Sequence, residues 1–424
     1  MKSPAPTGRP SGWTAPSGWR PADPAADWAR SGIIALTGHV GGPPLVPPGR
    51  ATTVAAELAD RFAAVTGVQV DGAGILAERA GFTGHRRNGQ VSVGGACRLL
   101  PTADGWAAVS CARPDDPALL GALTCQDVGE DPWPAVTRWL RQHTGGELAE
   151  RAGLLGVAAA PVASRAVPPV LALPPPQQAR PLAGLRVADF SSLWAGPLCA
   201  HLLGLAGARV VKVETPWRPD GARCGNAAFY RLLHAGHRSV IMDPRTAGGR
   251  KAMAALVAAA GIVIESSRPR ALARFGLDAD AAAAAGTTWV SITAYGRASD
   301  RIGFGDDVAA GSGLVARDAA GLPLFCGDAI ADPITGLAAA VLAACAPADG
   351  ALLDVSMSDV AAATLPPGDE VRPSQTARHD GNRWVVDTLG GPVPVAEPRP
   401  RQATGTAARL GEHTAEVLAE LGIR

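Results

Sequence analysis

The chain has 424 residues, material for two or three domains and a substantial core, with 47% hydrophobic residues but 4% aromatic ones. Ala, Val and Leu therefore have to supply most of the packing, which suits helices laid on a sheet of short apolar strands. A formal net charge of +1 gives no ground for a nucleic-acid or membrane partner.

The N-terminus, Met1 to Ala26, is rich in Pro, Gly and Ser and lacks the apolar centre of a signal peptide, so it reads as a disordered lead-in. From Trp28 the pattern is helical, with Ala29 to Gly38 ending at a Gly stop. A Pro/Gly loop, Gly41 to Gly49, leads to a second helix over Thr52 to Thr66. Val93 to Leu100 and Trp106 to Cys111 read as strands reversed at Asp104-Gly105, and helices around Asp116 to Leu123 and Pro134 to His143 complete a small α+β unit. The segment Val167 to Pro181, with Pro174-Pro175-Pro176, has the composition of a stiff linker.

Beyond Pro181 the texture changes to alternating strand and helix. Leu185 to Phe190, Ala208 to Glu214, Ser239 to Asp243, Gly261 to Glu265 and Thr288 to Thr293 are short Val/Ile-rich runs with helical intervals. The fold class expected is α/β: a mostly parallel, Rossmann-like sheet domain with helices on both faces, plus the smaller α+β domain. The apolar run Ala252 to Ile264 falls short of the ~20 residues that span a bilayer and is followed by Glu265. Seven Cys (Cys97, Cys111, Cys125, Cys199, Cys224, Cys326 and Cys345) show neither zinc-site pairs nor disulfide-scaffold spacing, and read as reduced thiols of a cytoplasmic protein.

The stretch Gly327-Asp328-Ala329-Ile330-Ala331-Asp332-Pro333-Ile334-Thr335-Gly336 precedes an apolar run, Leu337 to Cys345. Asp before Pro is a helix start, because the Asp oxygen accepts from free backbone N–H groups and Pro tolerates the first position. The same Asp332 is also a candidate nucleophile, placed at a helix terminus among small neighbours, with Asp328 as its runner-up. The first half echoes this region. Aligning Gly42-Pro43-Pro44-Leu45 with Gly321-Leu322-Pro323-Leu324 puts Thr53 opposite Asp332, give or take a position, so the earlier copy lacks the carboxylate.

The second half resembles a family III CoA-transferase, the group with formyl-CoA and carnitine CoA-transferases. Pro181-Leu182-Ala183-Gly184-Leu185-Arg186-Val187 with Asp189-Phe190 and Ala195-Gly196-Pro197 resembles its opening strand and loop. Leu205 to Glu214 is similar to its second strand and Gly236-His237-Arg238-Ser239-Val240 to its third. Ile262-Val263-Ile264-Glu265, Arg268-Pro269 and Leu272 to Leu277 resemble the segment that meets the CoA nucleotide, and Asp332-Pro333-Ile334-Thr335-Gly336 sits where the family's nucleophile lies. Gly94-Gly95 to Val109 resembles the opening of the family's small domain, Leu148 to Val162 its end, and Leu410 to Gly422 the family's C-terminal segment. The small domain here precedes the sheet domain, so the chain resembles a rearranged or permuted member.

The division this gives is residues 1–26 as lead-in, 27–85 as a helical segment resembling part of the large domain, and 86–166 as the small domain. Residues 167–180 are then the linker, 181–360 the large CoA-binding domain, and 361–424 a linker and C-terminal segment. The resemblance implies transfer of CoA from an acyl-CoA to a small carboxylic acid through an anhydride and a thioester on Asp332, with coenzyme A as substrate, no permanently bound cofactor and no metal. It implies CoA contacts at Arg274, Phe275, Trp194, Ala195, Arg223 and Arg238. Trp194 and Thr215 stand where members carry a polar and a basic residue. It also implies an interlocked homodimer, with a hetero-oligomer with a related subunit as the alternative. Racemases of the family pair the Asp with a His that falls near Asp306 here, so an acyl-CoA racemase or isomerase is the second reading and a non-catalytic acyl-CoA-binding paralogue the third.

Overall fold

In the computed structural model, which describes residues 23–162, 169, 171, 180–267, 269–367 and 372–423, the chain begins with helices α1 (Pro24–Arg30), α2 (Ala51–Thr66), α3 (Gly72–Ile75) and α4 (Glu78–Thr83). Strands β1 (Cys97–Pro101) and β2 (Trp106–Ser110) follow, then α5 (Asp116–Thr124), α6 (Trp133–Leu140), α7 (Gly145–Leu155) and β3 (Ala159–Pro161). The alternating part runs β4 (Arg186–Asp189), α8 (Ala195–Leu205), β5 (Arg209–Glu214), α9 (Ala227–His234), β6 (Arg238–Ile241), α10 (Ala247–Ala258) and β7 (Ile262–Glu265). It continues through α11 (Pro269–Ala273), α12 (Ala279–Ala284), β8 (Thr288–Thr293), α13 (Gly305–Gly311), β9 (Val315–Arg317), β10 (Pro323–Phe325), α14 (Ala331–Ala344), β11 (Ala351–Ser356) and α15 (Met357–Ala362). Strands β12 (Arg378–Asp380), β13 (Arg383–Thr388) and β14 (Gly391–Pro394) and helix α16 (Thr414–Glu420) close the chain. The expected lead-in as far as residue 22, most of the Pro-rich linker and Arg268 lie outside the described residues.

The large domain is α/β. Its sheet has six strands in the order β11-β8-β7-β4-β5-β6, every pair parallel. Alternation along each strand sends neighbouring side chains to opposite faces. Val187, Ile262, Ile264, Val290 and Ile292 pack with α8 and α14 in one core, while Ala188, Val263 and Trp289 pack with Met253, Leu256 and Ala279 in another. Both faces are thus covered, which is why these strands are continuous apolar runs. Strand order reverses between β4 and β7, so the crevice at the carboxyl ends of those two strands is the place where such sheets take ligands.

The small antiparallel sheet β1-β2-β3 is covered on one face by its own helices, with Ala107 and Val109 against Leu120, Val136 and Leu148. Its other face, Cys97, Leu99 and Ala108, lies on Ala310, Val315 and Phe325 of α13, β9 and β10. The first segment has no core of its own. Trp28, Leu58, Phe62 and Ile75 share the core of α8 and α14, and α2 packs directly on α14.

The helix expected over residues 29–38 is not formed as such. α1 stops at Arg30, Ser31 donates its hydroxyl to the Trp28 carbonyl, Gly32 takes φ +86°, and a separate 3-10 turn covers Ile34–Leu36. The hydroxyl of Ser31 competes for backbone partners, and Gly32 then supplies the left-handed turn.

Candidate active site

The first turn of α14 is positioned by glycines. A Cβ on Gly336 would meet the Ala195 carbonyl oxygen at 2.5 Å, so only Gly lets α14 approach the start of α8 this closely. That contact holds Asp332 beside the loop leaving β4. A Cβ on Gly305 would meet an Asp332 carboxyl oxygen and the Ala329 carbonyl oxygen, each at 2.4 Å. Asp332 therefore sits against the opening of α13, where the Gly305 backbone N–H donates to it.

Asp332 is not the cap of its own helix. The N-cap is Ile330, in helical conformation and without a side-chain capping bond, and the helix begins at Ala331. The Asp332 carboxyl turns to a different helix start, which leaves the expected capping role unfilled.

Two further carboxylates and one guanidinium meet it. Asp328, fully buried, accepts from Arg79 Nε at 2.9 Å and from Arg79 Nη2, and His85 Nδ1 lies 3.7 Å away. Against the cost of burial, Arg79 and His85 hold Asp328 down at about 2, so it is the permanent anion of the group. Asp306 accepts from the Ala329 N–H at 2.9 Å and from the Ser92 side chain. Burial and the Asp328 charge push Asp306 up to about 6. Burial pushes Asp332 up to about 7, with Arg79 pulling the other way and Asp306 adding to the rise. Near neutral pH Asp332 thus exchanges its proton readily, in a partly buried site at the first turn of a helix whose N-terminal dipole favours its anion.

The loop after β4 is fixed from below. Buried Lys212 lies 2.9 Å from Asp220 and 3.6 Å from Asp189, and it donates to the Ser191 carbonyl. Asp220 accepts in turn from the Leu193 N–H at 3.0 Å. Trp194, 1% exposed, follows and places its ring under Arg79, 4.6 Å from the guanidinium carbon, and edge-on to Phe229. Ala195, buried, opens α8. Of the residues singled out in the sequence, Asp332, Trp194, Ala195 and Asp306 therefore share this neighbourhood.

The remaining candidates lie elsewhere. Arg223 donates to Glu214 from Nε at 2.8 Å and from Nη2, and stacks over Tyr230. Arg238 pairs with Glu420 at 2.6 Å and Glu416 at 3.3 Å on α16. Arg274 is exposed just past α11, and Phe275 packs partly buried on the sheet face that α10 and α12 cover. Sequence reading missed Arg79, His85, Ser92 and Gly305. The first three come from the first half of the chain, and no local pattern ties them to a carboxylate some 249 positions on in the case of Arg79 and Asp328. Among the described residues no group of three His, Cys, Asp or Glu is arranged to hold a metal ion, and no helix is long and apolar enough to cross a membrane.

Chemically, the arrangement offers a carboxylate of adjustable protonation, a second carboxyl beside it, a fixed cation and a largely dry surround. Residues 182–383 match the family model described as CoA-transferase family III. The chain is 31% identical over 217 residues to succinate–glutarate CoA-transferase of Agrobacterium fabrum, covering 45% of this chain and 54% of the relative. It is 32% identical over 103 residues to formyl-CoA:oxalate CoA-transferase of Escherichia coli, covering 23% of this chain and 25% of that one. A solved CAIB/BAIF family protein from Brucella suis aligns at 25% identity with a TM-score of 0.43, over 51% of this chain and 65% of that one. The chain thus spans about half the length, or less, of these curated relatives.

Proposed function

We propose that the chain is a member of CoA-transferase family III, whose model matches residues 182–383, and that it moves CoA from an acyl-CoA to a carboxylic acid with Asp332 as nucleophile. The observation that carries the reading is the Asp332 carboxyl itself: pushed up to about 7 by burial, touching the Gly305 N–H, and set at the ligand edge of a parallel sheet.

In the proposed course, one Asp332 oxygen attacks the thioester carbonyl, the C–S bond breaks, and an aspartyl–acyl anhydride and CoA thiolate result. The thiolate attacks the Asp332 carbonyl, forming the aspartyl-CoA thioester and releasing the acyl group as its carboxylate. The acceptor carboxylate then attacks that thioester, and the thiolate released again takes the acceptor's acyl carbon, returning Asp332 as a carboxylate. Each attack builds negative charge on an oxygen, and the Gly305 N–H, the N-terminal dipole of α14 and Arg79 are the groups at hand to meet it. Burial excludes the water that would hydrolyse either intermediate. CoA contacts at Arg274, Phe275, Trp194, Ala195, Arg223 and Arg238, and a dimeric assembly, belong to the same proposal.

Succinate and glutarate, the acids in the name of the Agrobacterium relative, belong in the first acceptor panel. The test is CoA transfer from a panel of acyl-CoA donors to small mono- and dicarboxylates, with wild type beside Asp332→Asn. Transfer abolished in the variant supports the reading; transfer retained at the wild-type rate removes it.

A second reading is favoured by one observation: Asp306 lies beside Asp332, with its carboxyl raised to about 6 mainly by burial. Two carboxyls of that kind can take and return the proton next to a thioester, as an acyl-CoA racemase or isomerase requires. Deuterium incorporation at the α-carbon without CoA exchange would select it. Acyl-CoA binding with neither event would leave a non-catalytic binding protein.

A further inference from the structure

Arg79 reaches the site from α4, outside the family-matched segment that carries Asp306, Asp328 and Asp332. One edge of its guanidinium, Nε and Nη2, is taken up by Asp328, and one face lies over the Trp194 ring at 4.6 Å. Its side chain nonetheless keeps 27% of its surface exposed, and Nη1 has no hydrogen-bond partner among the described residues. A guanidinium locked on one edge and one face offers its remaining edge as a preformed fork for a carboxylate.

The charges explain why such a fork is needed. Three carboxyls line the site, and Arg79 is the cation that acts on both Asp332 and Asp306. An anion entering beside a carboxylate nucleophile meets repulsion unless a cation faces it. A guanidinium neutralised by nothing but Asp328 could be a structural ion pair alone. Its open edge, its exposure and its seat on Trp194 beside Asp332 go beyond what that role requires.

We propose that Arg79 is the docking residue for the carboxylate of the acceptor acid, which it grips through Nη1 and holds against Asp332. This rests on the transferase reading. The ligand class is a small organic carboxylate. By microscopic reversibility, the acid released from the donor leaves through the same contact.

The test uses the full chain. Arg79→Lys keeps the charge and its partner Asp328 but lacks the fork. Arg79→Met combined with Asp328→Asn removes the whole pair without leaving a buried anion, and serves if the lysine variant does not fold. Succinate is the probe acid, read in two ways: KM in the transfer assay, and calorimetric titration into the acyl-CoA-free protein. The expected result is a KM for succinate raised at least tenfold, with the KM for acyl-CoA within twofold of wild type, and calorimetric affinity for succinate reduced by a similar factor. Unchanged succinate affinity in both variants, or a rise confined to acyl-CoA, overturns the proposal. If wild type performs no transfer, the transferase reading fails by itself, and the calorimetric comparison still decides whether Arg79 binds a carboxylate.

Discussion

Ser110 of β2 donates its hydroxyl proton to Asp307 of α13 at 2.7 Å, and both residues are buried. This bond ties the small sheet to the helix whose first residue, Gly305, supports Asp332. Asp307 also accepts from the Phe304 N–H at 2.9 Å, yet its second oxygen has no partner, and burial pushes its carboxyl up to about 7. The folded state therefore holds a proton that the unfolded chain releases near the ordinary aspartate value of 3.8. The stability this contributes is fully present below pH 3.8 and is lost as pH rises toward about 7. We predict that Ser110→Ala costs about 1–2 kcal/mol in denaturant unfolding. Relative to wild type, Asp307→Asn should therefore gain melting temperature as pH rises from 4 to 7, whatever slope the other groups impose on both proteins; a constant offset between the two curves would contradict this.

Gly305→Ala should damage the site more than the fold. The added Cβ meets the Asp332 carboxyl and a backbone carbonyl at the same 2.4 Å, so one of them has to move. The expected outcome is transfer reduced at least tenfold, since small misplacements of a reacting group are expensive. Full activity with unchanged stability would show that Asp332 does not need this seat.

Three histidines should govern acid stability. His201, His234 and His237 are buried; burial first and nearby cations second, Lys212 facing His234 and His237 and Arg401 facing His201, hold all three below the usual 6.5, His201 and His237 at about 3. They stay neutral in the fold while the unfolded chain protonates them. Stability is thus present above pH 6.5 and falls as pH drops from there toward about 3. Urea midpoints should decline between pH 7 and pH 5, and His237→Leu should make that decline shallower. An equal slope in the variant would contradict the assignment.

The parallel sheet was readable from β4 to β8 because those strands are largely buried on both faces. Thr288 to Thr293 is a strand over the same residues in sequence and structure, and the other runs from β4 to β7 differ by a residue or two at their ends. β11 escaped because it lies at the sheet edge, where Asp354 is exposed and the apolar run is broken. Asp332 stood out by its local motif, and Asp306 by the family resemblance, which puts the racemases' His near it. The cation of the site was not, since Arg79 meets Asp328 only through the shared core of α2 and α14.

The same core puts the first-half echo in a new light. Thr53, opposite Asp332 in that echo, donates to Asp27 at 2.6 Å. A carboxylate restored there faces Asp27 and, nearby, Glu57, whose carboxyl is already raised by burial. Thr53→Asp should lower stability by about 1–3 kcal/mol and create no second reactive carboxyl. Covalent labelling of the new Asp by acyl-CoA would show that the first copy keeps a working pocket.

The central claim is that Asp332 becomes covalently attached during turnover. Incubation of the protein with acyl-CoA, trapping with hydroxylamine, and mass spectrometry of the peptide that spans residues 331–344 test it directly. The account predicts a hydroxamate on Asp332, absent when acyl-CoA is omitted and absent from Asp332→Asn, whose transfer rate falls by about 10³-fold or more. Transfer that proceeds with Asp332 unmodified, or with the hydroxamate on another residue, would contradict it.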